Sequence, residues 1–145
     1  MLDTGLANYR SGIQLDLLKS DKIEDVYRGR IAEHIAGQEI LASDTSILHR
    51  LGFWIRDKKT SMAEVDYLIP FEGMLIPVEV KSGSSGKLKS MHLFMQESGE
   101  AFAIRLYSGT YSREDVQIKP GKGYHLINVP IYKAYDLEKI IGKEI

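Results

Sequence analysis

Between Ala63 and Lys81 the chain carries two apolar strands around a tight turn: Ala63-Glu64-Val65-Asp66-Tyr67-Leu68-Ile69, then Glu72-Gly73, then Leu75-Ile76-Pro77-Val78-Glu79-Val80-Lys81. Glycine reaches positive φ at little cost, so Glu72-Gly73 between two β-prone runs suits a two-residue hairpin turn. With those two residues as the loop, Phe71 pairs with Met74, Asp66 faces Glu79 and Glu64 faces Lys81. Strand side chains alternate, so Glu64, Asp66, Glu79 and Lys81 share one face while Val65, Tyr67, Ile69, Ile76, Val78 and Val80 share the other.

Directly opposed side chains have Cβ atoms only ~4.5–5.5 Å apart, close enough for two carboxylates to hold one cation. Like charges placed opposite each other destabilise a sheet unless something compensates, and a divalent ion bound by oxygens does so. Hard carboxylate oxygens take Mg²⁺ or Mn²⁺; such an ion activates water and neutralises phosphate charge, while a lysine two residues along the strand can orient the nucleophile. Asp66 and Glu79 are therefore candidate metal ligands, and Lys81 is a candidate to orient the nucleophile or stabilise developing negative charge. The same residues also describe an ordinary solvated hairpin face on which Glu64 and Lys81 form a cross-strand ion pair.

Upstream, Ile23, Val26, Tyr27, Ile31, Ile35 and Ile40 recur at a helical period from Ser20 to Ala42, with Ser20 or Asp21 placed to cap the helix. Glu33 falls on the edge of that apolar arc, between Gly29 and Gly37, and so faces inward or nearly so. Segments His49–Ile55, Glu64–Ile69 and Leu75–Lys81 read as antiparallel strands. Leu88 to Met95 read as a second helix, and Ala101–Tyr107 as a strand that must lie parallel to its predecessor because a helix intervenes. Gly109–Gly123 reads as an exposed loop or ragged hairpin, Tyr124–Tyr132 as a strand broken at Pro130, and Tyr135–Ile141 as a short terminal helix. The expected architecture is a single α/β domain over residues 1–145, with a mixed central β-sheet flanked by helices.

Composition narrows the chemistry. The chain has 19 Lys plus Arg against 20 Asp plus Glu, a formal net charge of -1, so no global positive field draws in nucleic acid. Absence of cysteine excludes thiolate metal sites and thiol nucleophiles. Four histidines, His34, His49, His92 and His125, show no metal-ligand spacing. No stretch has the G-x-x-x-x-G-K-[ST] form that cradles nucleotide phosphates; Gly121-Lys122-Gly123 lacks the spacing. No apolar run approaches the ~18 residues of a membrane span, so a cytoplasmic protein without membrane attachment is expected. Lys58-Lys59, Lys87-Lys89 and Lys119-Lys122 are candidate contacts to a phosphate backbone, although lysines more often simply solvate a surface.

Ala63-Glu64-Val65-Asp66-Tyr67, followed by Leu75-Ile76-Pro77-Val78-Glu79-Val80-Lys81-Ser82-Gly83, resembles the DUF4143 domain, the C-terminal part of a family of prokaryotic AAA-type ATPases. Leu2-Asp3-Thr4-Gly5-Leu6-Ala7 looks like that domain's entry segment, Arg30-Ile31-Ala32-Glu33 like its helix, and Ala103-Ile104-Arg105-Leu106 like its following strand. That domain is similar in turn to the PD-(D/E)XK nuclease superfamily. The resemblance implies a restriction-endonuclease-like core in a C-terminal fragment of a larger ATPase. It also implies Asp66, Glu79 and Glu33 as metal ligands and Lys81 as the catalytic lysine. Val65 stands where that superfamily's motif has proline before the aspartate, a proline commonly lost among its members. DNA and the ATPase domain of the parent chain are then the expected partners. Three functions compete on this basis: a Mg²⁺-dependent DNA endonuclease, a non-catalytic nuclease-fold module that binds nucleic acid or protein, and an oligomerisation domain built on Tyr107, Tyr111, Tyr124, Tyr132 and Tyr135.

Overall fold

The hairpin turn forms as the residues dictate: Glu72 at φ 46° and Gly73 at φ 85° reverse the chain, both in the positive-φ region that a type I′ turn demands. The structure, a computed structural model, describes residue 6 and residues 24–43, 51–58, 61–83 and 88–145. The expected cap at Ser20 or Asp21, the expected strand start at His49 and the Ser84 to Gly86 part of the Ser/Gly loop lie outside the described residues.

Helix α1 spans Glu24–Ser43 and is followed by strands β1 (Gly52–Lys58), β2 (Ser61–Phe71) and β3 (Met74–Val80). Helix α2 (Lys89–Ser98) leads to β4 (Phe102–Tyr107), β5 (Ser112–Lys119) and β6 (Lys122–Pro130). A 3-10 segment, Ile131–Asp136, then runs into α3 (Leu137–Glu144). The six strands form one sheet in the order β1-β2-β3-β4-β6-β5. β1/β2, β2/β3 and β5/β6 are antiparallel, whereas β3/β4 and β4/β6 are parallel. The fold is thus a mixed α/β fold with a six-stranded mixed sheet flanked by helices. Pro77 sits where β3 pairs with β2 alone, since the β4 ladder begins at Val78, and a missing N–H is tolerated there.

Each face of the sheet has its own core. Ala32, Ala36 and Ile40 of α1 pack with Ile69, Ile76, Val78 and Val80 of the hairpin, with Ile104 and Leu106 of β4, and with Ala134, Leu137 and Ile141 of the C-terminal segment. On the opposite face Met91, Phe94 and Met95 of α2, spaced for one side of a helix, cover Val65, Ala103, Tyr124 and Leu126. Trp54 meets Phe94 edge to face at 5.5 Å. Gly99, at φ 78°, ends α2 in the left-handed conformation, its N–H donating to Met95 O. The two helices therefore sandwich the central strands.

Of the two readings of Gly109 to Gly123, an exposed loop or a ragged hairpin, the structure has the hairpin, with β5 as its first strand. β5 pairs with β6 from Ser112↔Asn128 to Lys119↔Lys122, with one irregularity between Gln117 and Lys119. Its sequence, SREDVQIK, is polar because β5 is a sheet edge. The expected terminal helix at Tyr135–Ile141 begins as a 3-10 turn and becomes α-helical only from Leu137. Among the described residues no helix is long and apolar enough to cross a membrane. Of the five tyrosines weighed for self-association, Tyr107 and Tyr124 are buried, which leaves Tyr111, Tyr132 and Tyr135 exposed.

Candidate functional site

The β2/β3 ladder runs in the expected register from Phe71↔Met74 to Tyr67↔Val78 and stops there. On the other side of β2, the step from Gly52 to Trp54 on β1 spans Leu68 to Val65, one residue longer on β2. A β-bulge therefore occupies Asp66 and Tyr67. Its consequence is visible in the packing, because Val65 joins the core beneath α2 while Tyr67 packs against the core beneath α1. Strict alternation places those two side chains on one face; the bulge separates them.

Two cross-strand pairings expected from uninterrupted alternation do not form. Asp66 and Glu79 lie just past the end of the ladder, where β2 and β3 part, and are not paired opposite each other. Glu64 pairs with Ile55 of β1 on one side of β2 and has no ladder partner on β3, and its N–H is directed at Ser90 Oγ at 3.4 Å. The physical reason is the extra residue in β2, which re-aims the strand at the point where the carboxylates begin. Asp66 Oδ2 accepts a hydrogen bond from Val80 N–H at 2.7 Å, so a side chain takes over where the main-chain ladder ends. Lys81 turns to Glu79, its Nζ donating to Oε1 at 2.5 Å.

Glu33 reaches the same region from α1. It is half-buried and lies one turn before the buried Ala36 and Gly37. Tyr67, assigned by strict alternation to the apolar face, donates its hydroxyl to the main-chain carbonyl of Glu33 at 2.8 Å and so pins α1 beside Asp66. Sequence reasoning missed that role; the signal available was a tyrosine directly following an acidic candidate ligand. Removal from water pushes the Tyr67 hydroxyl up to about 12, with the Asp66 and Glu33 charges adding to the rise.

Electrostatics tie the four residues together. Burial raises the Glu79 carboxyl above its ordinary value, the Asp66 charge raises it further, and Lys81 partly offsets both. Burial likewise raises Asp66, against the lowering effect of the Val80 N–H and of Lys81. Glu33 is raised by burial first and then by Asp66, with Lys81 again opposing. Three acids around one lysine leave excess negative charge in a half-buried site. Glu79 is only 6% exposed, and its Oε2 is buried with no hydrogen-bond partner. That unclaimed oxygen suits a hard cation. Asp66 Oδ2 and Glu79 Oε1 are already engaged, however, and among the described residues no three His, Asp or Glu side chains are gathered closely enough to hold a metal ion.

A family model described as a domain of unknown function (DUF4143) matches residues 28–132. The match takes in α1 from Arg28, the whole hairpin, α2, and every strand through β6. It reaches past β4, where the resemblance read from the sequence ended, and it does not include Leu2–Ala7, read there as an entry segment. No curated protein matches the chain.

Proposed function

The chain belongs to the DUF4143 family, and from that premise we propose that it is a metal-dependent DNA endonuclease domain with a restriction-endonuclease-like core, acting in the cytoplasm beside an AAA-type ATPase domain of its parent chain. The observation that carries the reading is the unpartnered, buried Oε2 of Glu79 at a fork shared with Asp66, Lys81 and Glu33. A buried carboxylate oxygen without a partner, among like charges, is costly unless a cation completes it. Glu79 and Asp66 would hold Mg²⁺ or Mn²⁺, with Glu33 at the rim. When bound, the ion supplies Lewis acidity toward phosphate oxygens and a more acidic water.

The protein's own groups do the rest. Lys81, 30% exposed at its side chain, lies within reach of both a carboxylate and solvent, where its ammonium can meet a phosphate oxygen. The Asp66 to Val80 bond keeps the fork rigid at the point where a phosphodiester would approach. Incubation of the purified chain with supercoiled, linear and branched DNA in Mg²⁺ or Mn²⁺ tests the reading. Cleavage that disappears in Asp66→Ala and Lys81→Met is the expected result; intact DNA under every condition, with wild type and Asp66→Ala indistinguishable, overturns it.

A second reading is favoured by a specific observation: Asp66 Oδ2 and Lys81 Nζ are each occupied within the protein, as in a fork whose charges serve only to hold it shut. The domain is then a non-catalytic nuclease-fold module through which the ATPase engages nucleic acid or protein. Calorimetry separates the two readings, because a scaffold has no use for a cation. Mn²⁺ binding that vanishes in Glu79→Ala supports the first, and an absence of binding supports the second.

A further inference from the structure

On the α1 side of the fork, next to Lys81, lies a groove of 560 Å³ between α1 and the 3-10 segment. Its floor is apolar, formed by Ile31 and Ala32 of α1 and by Ile131. Two large apolar side chains stand at its mouth in contact with water, Ile35 at 40% and Tyr132 at 73% exposure. Neither exposure is required by the fold. Tyr132 follows directly on Ile131, which packs against the core, so the ring is held on a fixed stretch of chain without contributing to that core.

The groove also carries polar groups. Ser82, Ser108 and Lys81 line it together with Glu39 of α1. An apolar floor, an exposed aromatic lip, and a few hydroxyl and carboxylate groups match a flat heterocycle that carries donors and acceptors on its edges. The ammonium that borders the groove is the one paired with Glu79, so a ligand seated here continues into the acidic fork. A base attached through its sugar to a phosphate is the chemistry that fits a largely apolar slot lined by one cation. The volume lies within the usual range for small-ligand sites, about 300–1,000 Å³. A base inside a duplex cannot offer its face to Tyr132, because its neighbours cover both faces; only an unpaired or extruded base can.

We infer that this groove receives a nucleobase stacked on Tyr132 while the adjoining phosphate lies at Lys81, so that the domain engages single-stranded or unpaired nucleic acid in preference to intact duplex. The inference rests on the phosphodiester reading above and names its substrate class. Tyr132 takes no part in the acidic cluster, and its exposure makes its replacement harmless to the core.

The test uses the full chain and oligonucleotides carrying 2-aminopurine at one position, with Ca²⁺ replacing Mg²⁺ so that binding is read apart from turnover. Single strands are expected to bind with quenching of the 2-aminopurine fluorescence, and the matching duplex to bind more weakly without it. Tyr132→Ala should remove the quenching and weaken single-strand binding by roughly 5- to 150-fold, the range for one lost base–aromatic stack, whereas Tyr132→Phe should retain both. Equal binding by the Ala and Phe variants, duplex binding as tight as single-strand binding, or no oligonucleotide binding at all overturns the inference. Quenching that depends on Tyr132 without cleavage in Mg²⁺ or Mn²⁺ upholds this inference while the hydrolytic reading falls. Cleavage that is indifferent to Tyr132 does the reverse.

Discussion

Asp66 has two duties that can be separated by substitution. Its carboxylate accepts the Val80 N–H at 2.7 Å, and Val80 is buried, so Asp66→Ala leaves a main-chain donor without a partner. Orphaning such a group costs ~1–3 kcal/mol. Against that, burial has raised the Asp66 carboxyl, so its charge is a net burden on the folded state and removing it returns part of the loss. The net expectation for Asp66→Ala in EDTA near neutral pH is a destabilisation of ~1–2 kcal/mol, or ~2–8 °C in Tm for a chain of this size. Asp66→Asn keeps an acceptor oxygen facing Val80 and discards the charge, so it should unfold at or above the wild-type urea midpoint. Urea unfolding followed by circular dichroism, with unchanged m values to show that only stability has moved, measures the order Asn ≥ wild type > Ala. Mg²⁺ should then raise the wild-type midpoint and leave Asp66→Asn where it was, because a neutral amide is a poor ligand. The reasoning fails if the Ala and Asn variants unfold at the same urea concentration in EDTA.

Burial and the Asp66 charge raise Glu79 above its ordinary carboxyl value, so its influence on stability is most favourable at pH below that ordinary value and declines as the pH climbs through the raised folded value. Glu79→Gln is therefore expected to be more stable than wild type near neutral pH without divalent ions, the difference closing as the pH falls toward 4.5; thermal melts across that range check it. At the hairpin turn, Glu72 adopts φ 46°, which asparagine tolerates better than glutamate, so Glu72→Asn should stabilise the chain by ~0.5–1 kcal/mol in the same urea assay.

Much of the fold was legible because its signals are local. Two β-prone runs around Glu72-Gly73 specified the hairpin and its register as far as Tyr67↔Val78. The helical period through Ile31, Ile35 and Ile40 placed α1, although Ile35 proved to be on the exposed side and Ala32 and Ala36 on the buried one. A helix between two strands implied the parallel β3/β4 pair. β5 was legible only as one arm of a ragged hairpin weighed against a loop, because an edge strand needs no apolar face of its own and SREDVQIK has only Val116 and Ile118 to mark one.

The sequence by itself determined which residue types were available for chemistry: three carboxylates, one lysine, no thiol, and a turn that brings Asp66 and Glu79 near one another along the chain. Only the tertiary structure decided how they are used. An extra residue in β2, visible only against the partner strand β1, ends the β2/β3 ladder at Tyr67↔Val78, turns Asp66 toward Val80 and leaves Glu64 without a partner on β3. Lys81 consequently pairs with Glu79 and not with Glu64. The reason is general: alternation along a strand is set by its own backbone, whereas a bulge is set by the register of one strand against its neighbour, and no single segment records that.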